Sequence, residues 1–205
     1  AYVSMIKENA HKRQCAGNPR CFSVLSSYME PLTDAIDRVF SPGGTMERQP
    51  GFSYRPQQHA MAQAVCRALE TERHLIVEAP TGVGKTLAYL LPSVLFALRN
   101  ERKAIVSTHT KNLQEQLLHN DIPLSRTLLA LEFNAVTLKG RRNYLCTSRL
   151  NTALQSRGGL FPDNEHDELR RIAAWGETTP DGDVSGLPFV PSPTVWNAVC
   201  SEPGV

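Results

Sequence analysis

Apolar residues follow two alternating patterns between residues 55 and 138. Apolar positions at helical spacing after Pro56 predict one amphipathic helix, and a longer apolar run predicts a second helix over Lys85–Arg99. Three short apolar runs have the length of strands: residues 74–78, 104–108 and 135–138. Shorter helices are predicted around residues 112–118 and from about residue 143. Because strands and helices alternate, we expect an α/β fold with a parallel sheet.

The pattern is weaker on both sides of this region. Residues 1–33 mix polar, glycine, proline and cysteine positions with little apolar period, and a Ser-Pro-Gly-Gly sequence at 41–44 interrupts the chain after them. After residue 154 a charged helix is predicted over 165–175, followed by a stretch rich in proline and glycine over 179–193. We therefore expect a loosely packed leader at one end and an insertion at the other.

Composition limits the classes of protein without selecting one. The chain has 205 residues, of which 41% are hydrophobic, so it can bury one sizeable core. A formal net charge of +2 is too small to indicate a nucleic-acid-binding protein by itself. No apolar run reaches the roughly 18 residues of a membrane span, and the first residues do not have the layout of a secretory signal. We expect a cytoplasmic protein that does not enter a membrane.

Five cysteines are scattered along the chain. In a reducing compartment such cysteines stay thiols, so metal or cluster binding is the expected role of any functional subset. Cys66 falls on the apolar side of its predicted helix and is expected to be a buried core thiol. Cys15 and Cys21 are expected to be ordinary thiols, with metal ligation together with Cys146 and Cys200 as the alternative.

A phosphate-binding loop is predicted between the strand at 74–78 and the helix that follows it. The sequence APTGVGKT at 79–86 matches the phosphate-loop pattern in its last three residues, with alanine in place of the first glycine. Backbone amides and the helix dipole at such a turn favour a polyphosphate, with Lys85 on the terminal phosphates and the Thr86 hydroxyl on Mg²⁺. The alternative is a glycine-rich turn without a ligand. The loop alone does not separate kinases, GTPases, helicases and transporters.

The loop and three further motifs together resemble one family. EAPTGVGKT at 78–86, followed by VSTHTKNLQEQL at 106–117, is similar to motifs I and Ia of superfamily 2 helicases of the DinG and XPD type. YRPQQ at 54–58 resembles the adenine-recognition segment of that family, in which the last glutamine hydrogen-bonds the base. KGRRNYLC at 139–146 resembles the stretch that leads to the family's first iron–sulfur cysteine. The resemblance extends from about residue 34 to residue 200.

This resemblance implies a RecA-like parallel sheet, interrupted by a mostly helical insertion of the iron–sulfur type. It implies a poorly matched leader at 1–33, the N-terminal part of the first motor domain at 34–140, and the start of the cluster insertion at 141–205. It also implies ATP and Mg²⁺ as cofactors, with Lys85 and Thr86 acting in catalysis. The nucleotide-binding residues would be Arg55, Gln58, Ala79, Pro80, Thr81, Gly82, Val83, Gly84, Lys85 and Thr86.

Nucleic acid is the expected partner of the segment after the second strand, because small polar and basic side chains bind phosphates without reading bases. The expected contacts are Thr108, Thr110, Lys111, Asn112, Arg141 and Arg142. Alternatively, Thr110 only caps a helix, and the basic residues at 139–142 only form a solvated helix start. Tyr144 would stack on a base or pack against the neighbouring lobe.

The resemblance also implies a four-iron cluster, which is held by four thiolates. Cys146 and Cys200 would supply the first two, and the remaining ligands are expected beyond Val205. ATP hydrolysis further needs an acidic motif and arginines from a second motor domain, so we expect this chain alone to be inactive.

The intact protein would be a monomeric ATP-dependent DNA helicase that moves 5′ to 3′ on single-stranded DNA and unwinds forks or DNA–RNA hybrids. The alternative is a nucleotide-gated binding module or nuclease-associated accessory protein without unwinding activity.

Overall fold

The structure is a computed structural model that describes residues 2–6, 30–155 and 163–202. It divides into two compact units, residues 1–138 and residues 139–205. Each unit has a hydrophobic core of its own, which is the property expected of an independent structural domain.

Three helices supply most of the buried core residues of the first unit. α1 covers Leu32–Phe40, α2 covers Pro56–Glu70 and α3 covers Lys85–Arg99. Pro56 starts α2 because a proline at the first helical position lacks only an amide that would have no partner there. In α3, nine of the fifteen residues are buried, including Pro92. The helices predicted after Pro56 and over Lys85–Arg99 are confirmed.

The first unit also contains a three-stranded sheet formed by β1 (Tyr2–Ile6), β2 (Ala104–Ser107) and β3 (Asn134–Leu138). A helical segment joins β2 to β3. It begins as α4 (Lys111–Gln116), continues as a π-helical turn (Leu117–Asp121) and ends as α5 (Ile122–Leu129). The strands predicted at 104–108 and 135–138 are confirmed, and so is the helix near 112–118, which the π turn makes longer than expected.

The sheet is not the parallel sheet that the pattern predicted. β1 lies between β2 and β3 and pairs antiparallel with both, with Ser4 opposite Ile105 on one side and opposite Val136 on the other. The prediction of a parallel sheet is wrong for these three strands because the middle strand comes from the leader and not from a crossover unit. The leader therefore contributes a paired strand at residues 2–6. β2 and β3 still run in the same direction, as their helical connection allows.

The apolar run at 74–78 does not form a strand. Its backbone has no ladder partner among the described residues, and Ile76 is 98% exposed. A strand exists only where a neighbouring backbone completes its hydrogen bonds, and β1 already fills the space between β2 and β3. This prediction is wrong because an apolar composition indicates a tendency to be buried but cannot supply a neighbour.

The core of the first unit lies where its three long helices meet, and it fixes the position of α3. Ile36 of α1, Ala62 of α2 and Leu91 of α3 have no exposed surface. Val106 of β2 and Ala135 of β3 pack against the same core, so one face of the sheet is covered by helices. The phosphate loop therefore precedes a helix that is held on several sides.

The second unit consists of short helices. It contains a 3₁₀ turn at Arg141–Asn143, then α6 (Thr147–Gln155), α7 (Asp163–Gly176), a 3₁₀ turn at Val184–Gly186 and α8 (Pro193–Val199). Leu150, Ile172 and Val195 are among the residues of its core. The charged helix predicted over 165–175 is confirmed. In the described part of the chain, no helix is long and apolar enough to cross a membrane.

The reactivity of the Cys66 thiol is a probe of the core of the first unit. It has no exposed surface, and burial, with a smaller contribution from the Glu70 carboxylate, raises the pKa of its thiol to about 12. The expectation of a buried core thiol is confirmed. Since the thiolate is the reactive form, we expect Cys66 to resist iodoacetamide at about pH 8 in the folded protein and to react after unfolding. Peptide mapping by mass spectrometry, with and without denaturant, measures this, and equal rates in both would contradict the burial.

Candidate functional site

The phosphate loop, residues 79–86, turns the chain from an extended segment into α3. Gly82 and Gly84 both have a φ of 84°, in the left-handed region that residues with a side chain rarely adopt. Gly84 is also the residue that precedes the first residue of α3. The unpaired amides of the first helical turn are thus presented at the loop, where an anion can accept their hydrogen bonds.

The Lys85 side chain joins the two ends of the loop by hydrogen bonds. Its Nζ donates to the carbonyl oxygens of Ala79 at 2.7 Å and Pro80 at 2.8 Å. These two contacts bring the start of the loop against the start of α3. The ammonium group is therefore at the centre of the loop, which is the position from which it can neutralise a bound polyphosphate.

Two side chains at the start of α2 donate hydrogen bonds to the loop backbone. Arg55 donates to the Gly82 carbonyl oxygen at 2.6 Å, and Gln58 Nε2 donates to the Gly84 carbonyl oxygen at 2.9 Å. Gln58 is only 4% exposed. A Cβ added to Gly84 would lie 2.8 Å from Gln58 Cδ, so glycine is the residue that fits against this amide. Arg55, an expected nucleotide-binding residue, and Gln58, which was expected to hydrogen-bond the base, thus contact the loop backbone in this structure.

The loop offers the donor set that a nucleotide with Mg²⁺ requires. Backbone amides, the Lys85 ammonium and the Thr86 hydroxyl are the groups that bind phosphates and their cation in such loops. Thr81 and Gly82 are exposed, and a Cβ on Gly82 would meet no atom within 4 Å, so space is open in front of the loop. The residues present therefore fit ATP and Mg²⁺.

The segment after β2 has two kinds of polar side chain. The hydroxyl of Thr108 donates to the Thr110 carbonyl oxygen at 3.2 Å, and the Thr110 hydroxyl accepts from the Leu113 amide at 3.3 Å. Thr110 therefore caps α4, which was the alternative to nucleic-acid binding. Lys111 and Asn112 are exposed on the first turn of α4, where both can reach a phosphate.

A cavity of about 240 Å³ lies beside the loop within the first unit. Lys85, Thr86 and Tyr89 line it from α3, and Thr108 lines it from the segment after β2. Asp121 of the π-helical turn lines it as well. Neither Tyr89 nor Asp121 was predicted as a site residue. The position of Tyr89 three residues after Thr86 on a predicted helix nevertheless places these two side chains on one face.

In the second unit, the basic residues near 139–142 are not equivalent. Lys139 is 7% exposed, and its Nζ contacts the Asp183 carboxylate at 2.7 Å and the Ser185 hydroxyl at 2.8 Å. Burial alone would raise the pKa of Asp183, but hydrogen bonds from Lys139 and Ser185 outweigh it and lower that pKa. Lys139 is thus a structural residue. Arg141 and Arg142 are exposed, and Arg141 donates to the Ser201 carbonyl oxygen at 3.3 Å.

Tyr144 has a structural contact too. Its hydroxyl accepts a hydrogen bond from the Lys139 amide at 2.9 Å, and its ring is half-buried. This contact favours packing within the second unit over stacking on a base.

The structure brings Cys146 and Cys200 together from distant parts of the sequence. Leu145 and Cys200 form an antiparallel bridge, and the Cys146 amide donates to the Val199 carbonyl oxygen at 2.8 Å. Cys146 is half-buried, whereas Cys200 is buried and its thiol lies 2.8 Å from the Glu202 carbonyl oxygen. Two cysteines thus lie on paired backbone segments.

No larger group of potential metal ligands accompanies this pair: in residues 2–6, 30–155 and 163–202, no three histidine, cysteine, aspartate or glutamate side chains are grouped to hold a metal ion. Cys15 and Cys21, the alternative partners, lie outside the described residues. A four-iron cluster would therefore need thiolates in addition to this pair.

Comparison with known proteins gives one family and several named relatives. Residues 55–152 match the DEAD/DEAH box helicase family. The chain is 42% identical over 147 residues to the ATP-dependent DNA helicase YoaA of Escherichia coli (strain K12), a match that covers 71% of this chain and 22% of that protein. It is 36% identical over 161 residues to the ATP-dependent helicase DinG of Mycobacterium tuberculosis (strain ATCC 25618 / H37Rv), covering 67% and 23%.

A third relative has a different name. The chain is 33% identical over 144 residues to the 3'-5' exonuclease DinG of Bacillus subtilis (strain 168), covering 69% of this chain and 15% of that protein. The chain spans between 15% and 23% of the length of these curated relatives.

The substitutions Gly82→Ala and Gly84→Ala should destabilise the folded protein by different amounts. Both substitutions place a side chain at a φ of 84°, which costs about 1–2 kcal/mol. Only Gly84→Ala also overlaps Gln58, so we expect it to lower the thermal unfolding midpoint more than Gly82→Ala. In a Gln58→Ala background the two should become equal. Calorimetry on the nucleotide-free protein measures the unfolding midpoints. If the two alanine variants have equal midpoints when Gln58 is present, the Gln58 amide does not constrain Gly84.

Proposed function

We propose that the full-length protein is an ATP-dependent DNA helicase, because residues 55–152 match the DEAD/DEAH box helicase family. The observation that supports this most directly is the phosphate loop, in which Lys85 contacts two loop carbonyl oxygens while Arg55 and Gln58 hold the loop from α2. A loop that neighbouring side chains already hold in place loses less conformational entropy when it binds a ligand.

The residues of the loop have distinct tasks in this proposal. The loop amides and the amides at the start of α3 bind the phosphate oxygens, and Lys85 neutralises the terminal phosphates. Thr86 would hold Mg²⁺, which supplies positive charge to the terminal phosphates when it is bound. Gly82 and Gly84 let the backbone approach the phosphates because neither has a side chain in the way. Arg55 and Gln58 would bind the adenine side of the nucleotide next to the loop.

Single-stranded DNA is the proposed track of the helicase. Lys111 and Asn112 on α4, and Arg141 and Arg142 in the second unit, are exposed groups that bind phosphates regardless of base sequence. Sequence-independent contacts suit an enzyme that must move along any strand. We further propose 5′-to-3′ movement and unwinding of forks or DNA–RNA hybrids, which the resemblance to the DinG and XPD type implies.

A four-iron cluster in the second unit is the other part of the proposal. Cys146 and Cys200 would supply two of its thiolates, and the pairing of Leu145 with Cys200 supports this because it keeps the two sulfur-bearing segments adjacent. The cluster would hold these segments to further ligands and so stabilise the fold of this unit.

The motor proposal predicts that Lys85→Ala abolishes ATP hydrolysis stimulated by single-stranded DNA. Loss of one preorganised charge from a phosphate site lowers turnover by about 100-fold or more. The matched control is Lys103→Ala, which removes an exposed lysine between α3 and β2 and should leave the rate unchanged.

Phosphate release by the full-length protein, measured with and without single-stranded DNA, gives both rates. If the protein binds ATP but DNA does not stimulate its hydrolysis, the helicase proposal is wrong and a nucleotide-gated binding module is the remaining function.

The cluster proposal predicts that Cys146→Ala removes visible absorbance and bound iron from the anaerobically purified full-length protein. The matched control is Cys66→Ala, because Cys66 is a thiol buried in the core of the first unit. Iron content and the absorbance of the thiolate–iron bonds measure the outcome. Full iron content in Cys146→Ala would rule out this cysteine as a ligand.

A further inference from the structure

The carboxylate of Asp37 links α1 to the first turn of α2. It accepts a hydrogen bond from Nε2 of His59 and a second one from the side-chain amide of Gln63. The same Gln63 amide donates to the Thr33 carbonyl oxygen at 3.1 Å. Because an ionised carboxylate has no proton to donate, Nε2 of His59 carries the hydrogen in this contact. Gln63 thus holds the carboxylate in place, and the carboxylate orients the His59 ring.

His59 connects this contact to the residues at the nucleotide site. It directly follows Gln58 in the first turn of α2, and its backbone amide donates to the Arg55 carbonyl oxygen at 3.1 Å. The rings of His59 and Tyr54 meet edge to face, with centroids 6.1 Å apart and ring planes 73° apart. The His59 ring therefore contacts α1 and also the residue that precedes Arg55.

The first turn of α2 has no side-chain cap at its N-terminus. Arg55, the residue before the helix, makes no side-chain hydrogen bond to the amides of this turn. Such a bond is a common means of fixing the start of a helix. Contacts with neighbouring elements therefore hold the turn. Arg55 and Gln58 contact the phosphate loop, and His59 contacts Asp37 of α1.

We propose that Asp37 is a positioning residue that supports selection of the adenine base. Through His59 it fixes the first turn of α2 and so keeps the amide of Gln58 in position beside the phosphate loop. This inference rests on the proposed function, in which Arg55 and Gln58 bind the adenine side of the nucleotide. It gives a task in nucleotide binding to α1, a helix in which no site residue was predicted.

The chemistry of the Gln58 amide explains why its position affects which base is bound. A glutamine amide has two hydrogens and one carbonyl oxygen, and the contact with Gly84 uses one of the hydrogens. Adenine presents a donor and an acceptor side by side, which match the oxygen and the second hydrogen, whereas guanine presents two acceptors on that edge. Displacement of Gln58 would therefore weaken the binding of adenine and reduce the preference for adenine over guanine.

Apolar packing keeps the two helices together when the polar contact is removed. Ile36 of α1 and Ala62 and Cys66 of α2 have no exposed surface and belong to one core. The Asp37 side chain is 47% exposed, so its removal opens no cavity in that core. We therefore expect an Asp37 variant to stay folded while the first turn of α2 loses its fixed orientation.

The test compares the affinities of the full-length protein for ADP and for GDP, both with Mg²⁺, by isothermal titration calorimetry. We expect Asp37→Ala to weaken ADP binding about 3- to 10-fold, the size of one hydrogen bond, and to leave GDP binding nearly unchanged. Asp37→Asn keeps an oxygen that accepts from His59 and should restore most of the ADP affinity. Asp34→Ala, the matched control, removes an exposed carboxylate from the same helix and should change neither affinity. Thermal unfolding verifies that each variant is folded.

A double substitution shows whether Asp37 acts through His59. His59→Ala should cause the same loss of ADP affinity, and Asp37→Ala should then add nothing to that loss. An unchanged ADP affinity in Asp37→Ala, or an equal loss for ADP and GDP, would overturn the inference while the nucleotide site stands. A wild-type protein that binds ADP no more tightly than GDP would overturn the inference together with the adenine contact of Gln58. A wild-type protein that binds neither nucleotide would overturn the proposed function as well.

Discussion

The contact between the Gln58 amide and Gly84 is the constraint on which the geometry of the phosphate loop depends. Gly84 must adopt a left-handed φ so that the chain can turn into α3, and the buried amide of Gln58 fills the space where a side chain would otherwise lie. The same amide donates to the Gly84 carbonyl oxygen. One residue of α2 thus selects glycine at this position and holds the turn that glycine makes possible.

The packing of α3 extends the effect of this local contact to the side chains at the start of the helix. Nine of its fifteen residues are buried against the other helices and the sheet, so its N-terminus has a fixed position. Lys85 and Thr86 are the first two residues of this helix, and Tyr89 follows one turn later. A charge and a hydroxyl placed on a well-packed helix are held more accurately than they would be on a free loop. Lys85 and Thr86 are therefore held at the end of the helix that adjoins the loop.

Local structure was predictable from the sequence, whereas strand pairing was not. The period of the apolar residues predicted α2 and α3, and the Gly84-Lys85-Thr86 sequence predicted the loop between them, because each of these signals depends on neighbours in the chain. The run at 74–78 has strand composition but no partner, and β1 takes the central place in the sheet although it comes from the leader. Pairing depends on which segments meet in space, and periodicity carries no information about that. The contacts of Arg55 and Gln58 with the loop were missed for the same reason.

The second unit shows how backbone pairing brings together residues that lie far apart in the sequence. Two isolated bridges, Tyr144 with Asp183 and Leu145 with Cys200, join the segment before α6 to two later segments. The buried pair of Lys139 and Asp183 strengthens the first bridge, because separating the two charges would remove the attraction that offsets their desolvation. Since Leu145 pairs with Cys200 directly beside this point, the position of Cys146 relative to Cys200 is fixed by the backbone. A basic residue that looks like part of a DNA-binding cluster in the sequence, Lys139, thus instead holds Asp183, the partner of Tyr144 in the first bridge.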